Sequence, residues 1–264
     1  MPTDTSASEQ LRRVDSIEIR RISTDDLREA LKHGLDDFWT RPSHYIFLVL
    51  IYPVLGIALS RLVFGYNMIP LLFPLAVGFA FVGPIAALGV YEISRRIERG
   101  ETPTLADAFE VLRSPQIGPI LRVGGALLAL FTTWLVAAWA IYWITLGPEP
   151  PRTVGAFIMA VLTTGPGWAM IVVGNLVGLG FAVVALAVSV FSLPMLMDGE
   201  KNALVAVLAS VRAVQKNPGP MAMWGMIVAV MLALGSLPVF AGLIFVFPIL
   251  GHATWHLYRR TISR

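Results

Sequence analysis

His252 and His256 are the residues of this chain whose type and spacing first suggest chemistry. Four positions apart on a helix, they share a face and could reach one metal ion. A zinc site needs three or four protein ligands, and no third stands nearby with Trp255, Tyr258 and Arg259 as the neighbours. The expectation is therefore no metal, with both imidazoles bonding to headgroups or loop carbonyls at a membrane boundary. Met195, Met197, Met221, Met223, Met226 and Met231 form a thioether-rich stretch, and thioethers bind Cu(I). Met221, Met223 and Met226 do not share a helical face, so ordinary packing is the simpler reading. The densest charge cluster is Glu92, Arg95, Arg96, Glu98 and Arg99. Glu92 is spaced to pair with Arg95 and Arg96 on a helix. Arg95, Arg96 and Arg99 read as a membrane-edge anchor or, more sharply, as a headgroup or anion site.

Other chemistries are excluded early. The chain has no cysteine, which removes disulfides, thiolate metal sites and cysteine nucleophiles. It has no Gly-x-Ser-x-Gly, His-Glu-x-x-His or Walker-type sequence. The Asp36–Asp37 pair falls on a polar segment and reads as solvated. No enzyme activity and no cofactor are expected.

The elements that would position these residues are set by five charge-free runs, 42–60, 62–91, 123–148, 153–197 and 217–258. A bilayer core of ~30 Å needs about 20 apolar helical residues, and each run can supply at least one span. The chain is 56% hydrophobic and 14% charged, against roughly 25% charged in soluble domains, so bilayer is the expected solvent. All Lys and Arg except Arg61 and Arg152 fall on one side of the map drawn from these runs. That asymmetry predicts cytoplasmic N- and C-termini. It also accounts for the net charge of +3 without nucleic acid, the expected partner being anionic lipid. Seven Lys or Arg in the first 43 residues, with no apolar core, argue against a cleavable signal peptide.

The fold class expected is all-α, a polytopic membrane protein with six transmembrane helices and cytoplasmic amphipathic helices. Residues 1–22 read as a mobile polar tail. Residues 23–41 read as an amphipathic helix at headgroup level, opened by a capping pair of Asp26 and Glu29. Leu27, Ala30, Leu31, Leu35 and Phe38 form its apolar side, and Pro42 stops it. The membrane domain, 42–264, is divided into spans at 44–64, 68–91, 120–146, 168–195, 221–234 and 239–258. Gly165-Pro166-Gly167 cuts off 154–164, whose 11 helical residues cover only ~16 Å, so that segment reads as half-inserted or interfacial.

Segments 104–113 and 202–216 read as amphipathic helices, with Leu105, Ala108, Phe109 and Leu112 on one face of the first. Leu204, Val207, Leu208 and Val211 occupy the same place on the second. The order span, amphipathic helix, proline break and span thus recurs, as in transporter repeats. Within span four, Gly174, Asn175, Gly178, Ala182, Ala185 and Ser189 form a small-residue ridge for helix packing, with Asn175 placed for an interhelical hydrogen bond.

Four stretches carry a resemblance: Pro-Ile-Ala-Ala-Leu-Gly-Val-Tyr-Glu-Ile-Ser-Arg-Arg-Ile-Glu-Arg-Gly-Glu (84–101), Asp-Asp-Leu-Arg-Glu-Ala-Leu-Lys-His-Gly-Leu-Asp-Asp-Phe (25–38), Ser-Leu-Pro-Met-Leu-Met-Asp (192–198) and Gly-His-Ala-Thr-Trp-His-Leu-Tyr-Arg-Arg (251–260). The chain resembles a bacterial family known only as predicted integral membrane proteins. The resemblance implies a multi-pass inner-membrane protein and no activity. Some relatives carry the label of cytochrome c oxidase subunit. Four histidines in all, two of them in or beside the tail, are too few to ligate two haems and a copper, so a catalytic oxidase subunit is excluded. The expected role is a structural or accessory subunit packing against a membrane-protein partner or another copy. The alternative is a small-molecule or lipid permease built from the repeated unit.

Overall fold

The structure is a computed structural model that describes residues 7–40, 69–71, 74–75, 83–85, 87–149, 153–237 and 242–263. It is all-α apart from one two-residue strand pair. The helices are α1 (Ala7–Asp15), α2 (Thr24–Thr40), α3 (Leu88–Glu98), α4 (Ile117–Leu146), α5 (Val154–Thr163), α6 (Gly165–Ser189), α7 (Ser192–Met197), α8 (Ala203–Lys216), α9 (Pro218–Ser236) and α10 (Leu243–Thr261). A 3-10 helix spans Leu105–Arg113, and β1 (Glu18–Ile19) pairs antiparallel with β2 (Ile262–Ser263).

Among the described residues, three stretches are long and apolar enough to cross a bilayer: α4, α6 continued through α7 to Met197, and α9. They match expected spans three, four and five. The first span, 44–64, and residues 68, 72–73, 76–82 and 86 of the second lie outside the described residues. The sixth corresponds to α10, whose second half is polar and almost wholly buried. The hydrophobic runs make these helices because each leaves backbone groups with no partner but one another once water is gone. At 30, 25 and 19 residues, α4, α6 and α9 extend about 45, 37 and 28 Å.

The chain divides into two compact units. One comprises Met1–Val49, Gly83–Gly125 and Leu186–Arg264; the other comprises Leu50–Val82 and Ala126–Ala185.

In the first unit residues 7–22 make contacts with α8 and with the C-terminal end of the chain. α1 lies on α8, and β1 joins the chain to β2. Arg13 reaches Glu200 at 3.0 Å, Arg212 pairs with Asp15, and Lys216 Nζ donates to the Ile19 carbonyl at 2.6 Å. Asn217, buried where α8 meets α9, accepts from the Ile22 amide and donates to the Arg20 carbonyl.

α2 packs along α10. Its buried stripe is Leu27, Ala30, Gly34, Asp37 and Phe38, while Leu35 and Trp39 are exposed. Gly34 sets the approach, since a methyl there would sit 2.6 Å from the Ala253 amide nitrogen. The helix is capped one turn earlier than expected: Ser23 and Asp26 exchange bonds, the Ser23 amide donating to Asp26 at 2.8 Å.

Segment 105–113 winds as a 3-10 helix, so its side chains repeat every three residues rather than 3.6. The expected single apolar face is split. Ala108 and Val111 turn inward, Ala108 meeting the backbone at Gly89, while Ala106, Phe109 and Leu112 turn outward. α8 also differs, burying Ala206, Ala209, Ser210 and Ala213 and leaving Leu204 exposed. Small side chains allow the close approach in which the Ser210 hydroxyl donates to the Ala187 carbonyl at 2.7 Å.

In the second unit Trp134 fills the space over Gly178 and donates its indole N–H to the Pro74 carbonyl at 3.3 Å. α5 packs on the short turn Ile69–Leu71. The α5–α6 corner is sharp enough that a methyl on Gly167 would sit 2.3 Å from the Val161 carbonyl oxygen.

Candidate functional site

α10 brings His252 and His256 to one face, and that face meets α2 and α3. Asp37 belongs to the buried stripe of α2, three residues beyond Gly34. Ser94 comes from the second turn of α3. The Ser94 hydroxyl donates to Asp37 Oδ2 at 2.8 Å, and His256 Nε2 stands 2.9 Å from the same oxygen. Ser94 Oγ is also hydrogen-bonded to His252 Nδ1.

Proton bookkeeping fixes the direction of this chain. A hydroxyl has one proton, and Ser94 spends it on the carboxylate. His252 must then carry its proton on Nδ1 and donate to Ser94 Oγ, while His256 donates from Nε2 to Asp37. The polarity is opposite to that of an activated serine, whose hydroxyl gives its proton to an imidazole. Ser94 and His252 are fully buried, and only the His256 and Asp37 edge approaches the surface, where His33 lies 5.2 Å from His256 between ring centres. The set acts as a clasp that holds three helices through Asp37 Oδ2, the Ser94 hydroxyl, His252 Nδ1 and His256 Nε2.

Burial pushes the Asp37 carboxyl up. The hydrogen bond from His256, attraction to His252 and His256 and the Ser94 hydroxyl outweigh it and hold the group below the ordinary carboxylate range. Asp37 is therefore the charged centre of the clasp. Among the described residues no three His, Asp or Glu groups are arranged to hold a metal ion. The ring nitrogens that converge here, His252 Nδ1 and His256 Nε2, are already hydrogen-bonded.

Two further hubs flank the clasp. Glu92, with a side chain only 3% exposed, takes Arg95 at 2.7 Å and Arg96 at 2.9 Å, as its spacing predicts. Arg96 also pairs with Asp107 at 2.8 Å and with Glu110, fastening the 3-10 helix to α3. Glu98 and Asp198 together receive Arg259, Trp255 Nε1 donates to Glu98 and the Tyr258 hydroxyl donates to Asp198. Arg95 and Arg96 are thus committed to protein carboxylates, which leaves the anion reading of that cluster without two of its three donors. Arg99 lies on the exposed end of α3.

The ridge on α6 is only partly used. Gly178 takes Trp134, and Ala185 and Ser189 are buried, but Gly174 meets nothing within 4 Å and Ala182 is exposed. Asn175 donates to the Ile171 carbonyl of its own helix at 2.7 Å. The aromatic cluster near the end of α4 divides likewise, with Trp134 and Tyr142 buried and Trp139 and Trp143 exposed.

Sequence reasoning missed Asp37 and Ser94. One signal was available: Leu27, Ala30, Gly34 and Asp37 follow helical spacing, which puts Asp37 on the inward stripe beside small residues. No local pattern marks Ser94.

No curated protein and no solved structure matches the chain. Residues 71–198, which contain the 84–101 cluster of Glu92, Ser94 and Arg96 as well as 192–198, match a family described as "Predicted integral membrane protein (DUF2189)", the family that the sequence resembles.

Proposed function

We propose that this is a six-span protein of the bacterial inner membrane, with both termini in the cytoplasm, acting as a structural or accessory subunit without chemistry of its own. The observation that carries the reading is the way the buried polar groups are spent. Asp37, Ser94, His252, Glu92 and Asn217 bond to one another, to arginines or to backbone; the first three tie α2, α3 and α10 together, and Asn217 ties the end of α8 to the segment that precedes α2. The apolar sides of α4, α6 and α9 face outward, which suits lipid and a helical partner. Anionic lipid is the expected surroundings, and a respiratory oxidase is the first complex to look for.

Extraction of the chain in a mild detergent, followed by mass spectrometry and a visible absorption spectrum, tests the role. A stable co-purifying membrane complex is the expected result. A chain that always runs alone as a monomer would count against it. Topology is checked separately by a reporter active only in the periplasm: fused after Glu149 it should be active, and after Asn217 silent.

A permease reading draws on a recurring order. α3, the 3-10 helix and α4 run in the same sequence as α7, α8 and α9, and Thr104 and Asn202 cap the corresponding middle helices. Substrate-dependent flux into vesicles containing the pure chain would favour that reading over the accessory role.

A further inference from the structure

The geometry points to the 3-10 helix and the first turns of α4 as an anchor for anionic phospholipid headgroups, with Arg113 and Arg122 as the cations and Leu112 and Leu121 as the apolar wedges. Leu112 and Leu121 are each 66% exposed, and each is followed directly by an exposed arginine. The 30 residues of α4 extend about 45 Å, well beyond a ~30 Å hydrocarbon core, so one or more turns must stand at headgroup depth. Arg122, in the second turn and exposed, places those turns at the start of the helix, because an arginine on a lipid-facing span carries its guanidinium to the phosphates. The following residues, 123–146, still reach about 36 Å, enough to complete the crossing.

That depth fixes the neighbouring segment. Leu112 precedes the start of α4 by five residues, which cannot span more than about 18 Å even when fully extended. The link is compact, since the Ile117 amide donates back to the Ser114 carbonyl at 3.0 Å. The 3-10 winding then aims Leu112 outward while Asp107 and Glu110 are held by Arg96. Both carboxylates are thereby drawn toward Arg96, and the outward edge carries Phe109, Leu112 and Arg113. An edge of that composition beside a span suits an anionic bilayer surface. The inference requires only that α4 crosses the membrane, whichever leaflet its first turn meets.

The native chain has no cysteine, so single labels can be placed cleanly. Leu112→Cys and Leu121→Cys, each labelled with bimane, would be reconstituted in nanodiscs of phosphatidylcholine and phosphatidylglycerol. Gln215→Cys serves as the water-facing reference. Headgroup-spin-labelled phosphatidylglycerol should remove most of the emission from the first two labels, and spin-labelled phosphatidylcholine less. Adding Arg113→Gln and Arg122→Gln should abolish that difference while both lipids still quench. Quenching by iodide but not by lipid would overturn the proposal, and so would protection from both, which would mean protein covers the edge. Equal quenching by the two lipids in the arginine-containing chain would also overturn it.

Discussion

Asp37→Ala removes the one group on which the clasp converges. The carboxylate is 7% exposed and accepts from the Ser94 hydroxyl at 2.8 Å and from His256 at 2.9 Å. Alanine leaves both donors buried or nearly so, without an acceptor. Each stranded donor costs about 1–3 kcal/mol, and breaking a buried charged network costs about 3–5 kcal/mol in all. Asn at the same position keeps a neutral acceptor for both donors and loses mainly the charge, about 1–2 kcal/mol. The cost falls on the docking of α2 against α10, so it is read best as local opening. Trypsin cleavage after Arg28 or Lys32, with opening fast relative to cleavage, reports the open population. At tenfold per 1.4 kcal/mol, Asp37→Ala should speed cleavage by about 10²- to 10³-fold and Asp37→Asn by about 5- to 30-fold. Asp36→Ala, on the exposed side of the same helix, should change it little. Equal cleavage of the Asp37→Ala and native chains in the same detergent would refute the view that this carboxylate holds α2 in place.

Acid should loosen the same joint. Because the folded Asp37 carboxyl is held below its ordinary value, its contribution is present above the unfolded value of ~3.9 and is lost as pH falls through the lower folded one. Cleavage of α2 by an acid-active protease should therefore rise below about pH 4. That rise should be smaller in Asp37→Asn, where Asp26, held low by its bonds from Ser23 and by Arg260, is the remaining acid-sensitive group. Gly34→Ala forces a methyl onto the α10 backbone and should cost about 1–3 kcal/mol, with the same proteolytic signature and no pH dependence of its own. Arg96→Gln should release the 3-10 helix, seen as faster amide hydrogen exchange from Thr104 to Ser114. The penalty there should be only about 1–3 kcal/mol, because Glu92 keeps Arg95; unchanged exchange would remove Arg96 from that role.

The spans α4, α6 and α9 were legible because twenty or more uncharged residues leave a bilayer as the only solvent. The ends of the spans were legible because arginine, proline and glycine punctuate them. Glu92 with Arg95 and Arg96 was legible because its geometry is local, three and four residues along one helix. The clasp was not. His252 and His256 declared a shared face, but the acceptor for His256 stands 219 residues away, and no local periodicity reports a partner at that distance. The face of 105–113 was misassigned for a different reason. An α-helical period was applied to a segment that winds every three residues, under the pull of Arg96 on Asp107 and Glu110.

The separation of 219 residues between Asp37 and His256 has a consequence in time. At about 5–20 residues per second, ribosomes need about 10–45 s to make the chain between them. Throughout that interval α2 exists without α10, and its stripe of Leu27, Ala30, Gly34 and Phe38, with a carboxylate set into it, has no surface to bury against. The N-terminal segment must wait while the spans are threaded one after another. It then becomes the piece that closes over the finished bundle, so its docking reports that α10 has arrived.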